Sequence, residues 1–214
     1  GRIKKAIILP SSDVPDAEGL FDAMANFLET RVGWYVAPRM LAEEVRNRFD
    51  KGRSTMDVIN AETGEVDLAR YLQARRELAR KLASETRVDA VLEAHVEQVK
   101  VTFRRQMAVW DGVREAVAGK SSRALSFFAL IPVEGQVPAA TVVLKLRDPE
   151  GKLLWSQRRG FAVLALQQGV GNTFRERPIP EVLQDTPSVE KWLEMVFAAF
   201  LQTEKGERDA AAKP

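Results

Sequence analysis

Hydrophobic positions change their period several times along this chain, and each change marks an element. Ala6-Ile7-Ile8-Leu9 is a short unbroken apolar run of the kind that fills a strand buried on both faces, and Pro10 ends its ladder. A first strand is therefore predicted over Arg2 to Pro10. The period then lengthens: Leu20, Phe21, Met24, Phe27 and Leu28 fall on one helical stripe stopped by Gly33, with Ser12 or Asp13 as the candidate cap near Pro15. Trp34 to Ala37 reads as a short strand, and beyond Pro38 the spacing of Met40, Leu41, Val45 and Phe49 predicts a second helix. The opening is β-α-β-α.

Asp50 to Val66, with Gly52, Ser54, Asn60 and Gly64 and no sustained period, is predicted as a mobile loop. Leu68, Tyr71, Leu72, Leu78 and Leu82 return to helical spacing and predict a third helix over about Asp67 to Glu85. From Asp89 to Phe103 the chain alternates, with Leu92, Ala94 and Val96 in one phase and Val99, Val101 and Phe103 in the other. Such a slip predicts a β-bulge near Glu97 or Gln98. In an excursion from Arg104 to Arg123, Met107, Trp110, Val113 and Val117 stand three or four apart, the spacing of a short amphipathic helix.

Strand character returns at Leu125 to Ile131, Ala140 to Leu146 and Lys152 to Phe161. The last two are joined by the turn Asp148-Pro149-Glu150-Gly151, and together the strands predict an antiparallel meander. Thr186-Pro187 opens a final helix whose apolar face is Val189, Trp192, Leu193, Val196, Phe197 and Phe200. The segment from about residue 204 to 214 is expected to be a disordered tail. The whole reads as a single α/β domain over residues 1–203, with a mixed central sheet and flanking helices.

The 214 residues, 45% hydrophobic and 29% charged, are enough for one sizeable core. Lys and Arg number 32 against 30 acidic residues, and a net charge of +2 gives no field that would argue for nucleic acid. The absence of cysteine removes disulfides, thiolate metal sites and cysteine nucleophiles. No apolar run approaches the roughly 20 residues that cross a bilayer. The chain enters its first strand directly after Gly1, a start that a removed leader with a lipid-bearing cysteine would leave.

His95 is the sole histidine, so any triad must use it. Glu93-Ala94-His95-Val96-Glu97 puts three polar side chains on one strand face, a spacing that could bind a cation or relay a proton. The same alternation is what a half-exposed strand shows when its polar face meets solvent or a partner, and that reading is preferred. Gly169-Val170-Gly171-Asn172 lacks the lysine and serine of a phosphate-binding loop and reads as a connection. Arg70, Arg75, Arg76, Arg80 and Lys81 interleave with Glu77 and Glu85, as on a solvated helix face. Trp110, outside the inferred core strands, is the aromatic expected to meet a partner, together with Met107, Val113 and Val117.

The apolar-proline end of the first strand, the opening Asp89-Ala90-Val91-Leu92, and the hairpin Asp148-Pro149-Glu150-Gly151-Lys152-Leu153-Leu154-Trp155 carry a resemblance. The chain resembles bacterial envelope lipoproteins related to the curli secretion lipoprotein and to the amino-terminal domain of the Tol-system propeller protein, over about Arg2 to Phe161 plus the last helix. That resemblance implies a non-enzymatic periplasmic domain, outer-membrane-anchored in the full-length protein, that assembles into homo-oligomers or docks protein partners in the cell envelope. It implies a place in a secretion or envelope-biogenesis complex, no cofactor, no nucleic acid, and membrane contact only through a tether that this chain lacks. The other readings are a hydrolytic or metal-dependent enzyme using Glu93, His95 and Glu97, and a small-ligand carrier.

Overall fold

The computed structural model describes residues 3–52, 58–60, 63, 65–117, 134–168 and 173–211. In chain order these form β1 (Lys5–Ser12), α1 (Glu18–Phe27) with a π-helical turn (Leu28–Val32), β2 (Tyr35–Ala37), α2 (Arg39–Lys51), α3 (Leu68–Thr86), β3 (Ala90–Arg104), β4 (Met107–Trp110), β5 (Val113–Ala116), β6 (Glu134–Arg147), β7 (Leu153–Val163), β8 (Ala165–Gln167), β9 (Phe174–Glu176), α4 (Ile179–Leu183) and α5 (Thr186–Ala211). Among the described residues, seven strands make one mixed sheet. β1 runs parallel to β2 and β3, β3 pairs antiparallel with β6 and β4, and β6 pairs antiparallel with β7. A two-stranded ribbon of β8 and β9 lies beside it. The α/β class, the β-α-β-α opening and the β6–β7 meander agree with the sequence reading.

β1 is apolar and buried from Ala6 to Pro10 because both its faces are covered there. Ala6 and Ile8 join the layer of α1 and α5, whereas Ile7 and Leu9 join Val45, Leu78, Ala79 and Leu82 of α2 and α3. The predicted stripe of α1 is the buried one, Leu20, Phe21, Met24 and Phe27. Its predicted cap is not: α1 starts at Glu18 without a side-chain cap, and the Ser12 hydroxyl instead accepts from the Val14 amide at 2.9 Å in a local turn. On α5, Trp192 packs edge-on to Phe161 with centroids 5.0 Å apart, and Phe197 stacks between Phe27 and Trp155. The helix continues to Ala211, past the point where a tail was expected.

Two expectations are overturned in the β region. β3 carries no bulge: its pairing with β6 is unbroken from Val91↔Arg147 to Arg104↔Glu134. The change of hydrophobic phase has another cause. Leu92, Ala94 and Val96 pack under α1 and α5, whereas Val101 and Phe103, on the opposite face of the same straight strand, belong to a second core formed farther along. The bulges fall on β7 instead, where Leu154 and Phe161 are the extra residues.

The excursion is not a helix. Met107 to Trp110 and Val113 to Ala116 form the β4–β5 hairpin, closed by Asp111-Gly112 with φ of 39° and 74°, and β3 turns into β4 through Arg105-Gln106 with φ of 48° and 62°. Positive φ at both central residues matches the right-handed twist of the flanking strands, and Asp-Gly favours it. The hairpin curls back towards β7: the Gly160 amide donates to the Asp111 carbonyl at 3.0 Å and the Val163 amide to Glu115 at 2.8 Å. This closes a small β-lobe around Val101, Phe103, Ala108, Trp110, Val117, Val137, Ala139 and Val163. The predicted strand Leu125 to Ile131, the end of the excursion beyond Val117, the Gly169 to Asn172 connection and most of the Asp50 to Val66 loop's centre lie outside the described residues.

Candidate functional site

Glu93, His95 and Glu97 leave β3 on the face that α3 covers only at one end. Opposite them across the sheet stand Ser11 on β1, Lys145, Val143 and Thr141 on β6, and then Ser156 and Arg158 on β7. The alternation thus places the three on one face, as the sequence reading required, but it does not bring them together chemically.

Glu93 is only 6% exposed. One of its oxygens accepts from Arg147 Nε at 2.6 Å and the other from Arg75 Nη2 at 2.8 Å, while Arg147 Nη1 donates to the Gly151 carbonyl at 3.1 Å. A carboxylate and a guanidinium taken from water are tolerated because each side is met by charge and by hydrogen bonds. This cluster pins α3 to β3 and to the β6–β7 turn. It was missed because Arg75 and Arg147 stand far from Glu93 in the sequence, and a polar residue in an alternating strand otherwise signals solvent.

His95 Nδ1 and the Ser11 hydroxyl are 2.9 Å apart, and His95 Nε2 lies 3.4 Å from Asp13. The side-chain types are those of a nucleophilic triad, but the surroundings are not. The Asp13 amide is committed to the Val96 carbonyl and the Val14 amide to the Ser12 hydroxyl, so neither is a free donor for an oxyanion developing at Ser11. Asp13 is largely exposed.

Glu97 accepts from Arg158 Nη1. Arg158 Nε also reaches Asp111 at 3.2 Å, and the buried Thr141 hydroxyl donates to the same oxygen at 2.8 Å. The Arg158 guanidinium is held above the ordinary arginine value, first by its hydrogen bond to Glu97 and further by the charges of Glu97 and Asp111, against a smaller desolvation. The network ties β3, β6, β7 and the hairpin turn together. Three clefts of 180, 220 and 340 Å³ open elsewhere, and none is lined by Glu93, His95 or Glu97. Among the described residues, no group of three or more His, Cys, Asp or Glu side chains is placed to hold a metal ion.

Of the four residues expected at a partner contact, Trp110 is 8% exposed and Val117 fully buried, both inside the β-lobe, and Met107 and Val113 are half-buried. The large apolar residue of the hairpin that is exposed is Val109. Large apolar side chains are exposed elsewhere. The first turns of α3 carry Leu68, Tyr71 and Leu72 in the open, upstream of Arg76, whose carbonyl packs against Gly151 of the β6–β7 turn. Leu153 and Leu154 are exposed at the start of β7, just after that turn. The sequence held a signal for the second pair: two adjacent leucines in a strand cannot both face one core.

No protein-family model matches the chain, and no curated protein matches it. Among solved structures it is similar to lipoprotein GNA1162 from Neisseria meningitidis, at 17% identity and a TM-score of 0.36, covering 96% of this chain and 99% of that one. It is also similar to the LpoB C-terminal domain from Salmonella enterica, at 12% identity and a TM-score of 0.36, covering 74% and 82%. At these values the likeness carries no argument about activity or partners, which rests on the geometry.

Proposed function

We infer that this chain is a docking module of the bacterial cell envelope, working through protein contacts and not through catalysis. The observation that carries the reading is that Glu93, His95 and Glu97 are each taken up by separate partners and do not converge, while large apolar side chains stand exposed on either side of the β6–β7 turn. Catalysis needs groups that converge in a water-excluding site, whereas clustered exposed apolar area marks an interaction surface. The proposed docking face comprises Leu68, Tyr71 and Leu72 of α3 with Leu153 and Leu154 of β7.

The β4–β5 hairpin offers a second contact through Met107 and Val109, with Trp110, Val113 and Val117 holding it in place from inside. The periplasmic location, the outer-membrane tether on the full-length protein, membership of a secretion or biogenesis complex and homo-oligomer formation belong to this proposal. They are supported by the family resemblance of the motifs around Leu9-Pro10, Asp89 and Asp148 to Trp155.

The competing enzyme reading depends on the lone histidine. Replacing His95 with Ala in the full-length protein should leave envelope integrity intact, scored as resistance of the cells to detergent. Loss of that resistance by a variant that still folds would contradict the docking reading.

A further inference from the structure

We propose that the free edge of β7 receives an extended strand from a protein partner, with a carboxylate of that strand opposite Arg159. The inference rests on the docking reading and names the kind of segment that docks. β7 pairs with β6 on one side, and among the described residues no strand pairs with its other side. The hairpin's backbone bonding to that edge begins at Gly160, whose amide donates to the Asp111 carbonyl, and its turn touches only the side chains of Arg158, at Asp111, and Arg159, beside Gly112. Between the bulges at Leu154 and Phe161, Trp155 to Arg159 form a regular ladder with β6, and their outer edge presents backbone donors and acceptors. No proline interrupts Leu153 to Val163, and of its two charged residues Arg158 is taken up by Glu97 and Asp111, which leaves Arg159 as the charge at the open edge.

Arg159 supplies the chemistry that selects the occupant. It lies on the face of β7 turned towards α5, where its Nη2 meets the Met195 sulfur at 3.7 Å. Among the described residues its buried Nε has no acceptor and no carboxylate pairs with it. Arg158 next to it holds two carboxylates. A half-buried guanidinium without an anion is costly, and a partner carboxylate directly across the strands, with Cβ atoms about 5 Å apart, would meet it. Farther along the same edge Trp155, Leu153 and Leu154 offer apolar area. An antiparallel strand running acidic, then polar or aliphatic, then apolar at alternate positions fits both features.

The test uses a labelled peptide that alternates threonine with, in order, aspartate, valine, leucine and valine, titrated into the chain and followed by fluorescence anisotropy and amide hydrogen exchange. Binding should slow exchange at Ser156 and Arg158, whose amides, like that of Gly160, point away from β6. It should weaken on the order of tenfold when lysine replaces the aspartate, or when Arg159→Gln is the protein used; that factor corresponds to about 1.4 kcal/mol. Methylating alternate peptide amides in the two possible frames should abolish binding in one frame only, since a strand bonds its neighbour through every second residue. Absence of binding, equal binding of the aspartate and lysine peptides, equal loss in both frames, or protection elsewhere would overturn the proposal. Self-association of the chain through β7 that the peptide does not compete away would overturn it in favour of a second copy. Cross-links from the α3 face that persist when the peptide fails would sink the edge and leave the docking reading standing.

Discussion

The indole Nε1 of Trp110 lies 2.7 Å from the point where a Cβ on Gly160 would sit, and the ring's Cε2 lies 2.8 Å from it. On the same glycine, the carbonyl accepts from Trp192 Nε1 at 2.7 Å. Gly160 therefore lets the β-lobe and the α5 layer meet at one residue of β7. Gly160→Ala should destabilise the chain by about 1–3 kcal/mol through overpacking. Trp110→Ala should cost about 3–5 kcal/mol, as expected for emptying an aromatic site in a core. Urea unfolding followed by tryptophan fluorescence reads both. If the two losses simply added in the double variant, the contact between these residues would not be what couples them.

Glu93 is the next point of leverage. Glu93→Ala strands the buried Arg147 charge and should cost about 3–5 kcal/mol, whereas a solvated polar residue on the same face would cost little. Chemical denaturation separates the two cases: a loss below about 1 kcal/mol would show that the Arg75–Glu93–Arg147 cluster does not hold α3 on the sheet.

Acid stability should report Asp89. Its carboxylate accepts from the Lys4 and Lys5 amides at 2.9 Å, tying the start of β3 to the start of β1. These backbone bonds, foremost that from Lys4, lower its pKa below the ordinary 3.8. A depressed folded-state value means the contribution is present above about pH 3.8 and is lost as the pH falls through the lower folded value. Glu181, lowered first by its hydrogen bond from Arg175, acts in the same direction below 4.5. Asp89→Asn should therefore flatten the fall in melting temperature on acidification. An unchanged slope would contradict the assignment.

What the sequence disclosed depended on how local the cause was. The stripes of α1 and α5 and the run in β1 were legible because each element's own residues decide which face is buried. The β4–β5 hairpin was misread because a two-residue turn between two short strands leaves Met107, Trp110, Val113 and Val117 at helix-like spacing, and Asp111-Gly112 was the turn signal that tells them apart. The phase change in β3 looked like a bulge because one strand serves two cores on opposite faces, which only the second layer explains. The polar trio was found on one face, but its partners, Arg75, Arg147, Arg158, Ser11 and Asp13, come from elements whose pairing no local pattern reveals. Leu68, Tyr71 and Leu72 were read with Leu78 and Leu82 as one apolar stripe, because how much of that stripe the rest of the chain covers is set by the tertiary fold.

The most direct test of the docking account is photo-cross-linking in cells, with a photoreactive residue placed in the full-length protein at Leu72 or Leu154 on the proposed face, and at the exposed Glu190 of α5 as a reference. The account predicts discrete protein adducts from Leu72 and Leu154, absent from Glu190 and diminished when Leu68 and Tyr71 are replaced by aspartate in a variant of unchanged melting temperature. A folded, correctly located protein that gave no adducts from Leu72 or Leu154, or gave them equally from Glu190, would contradict it.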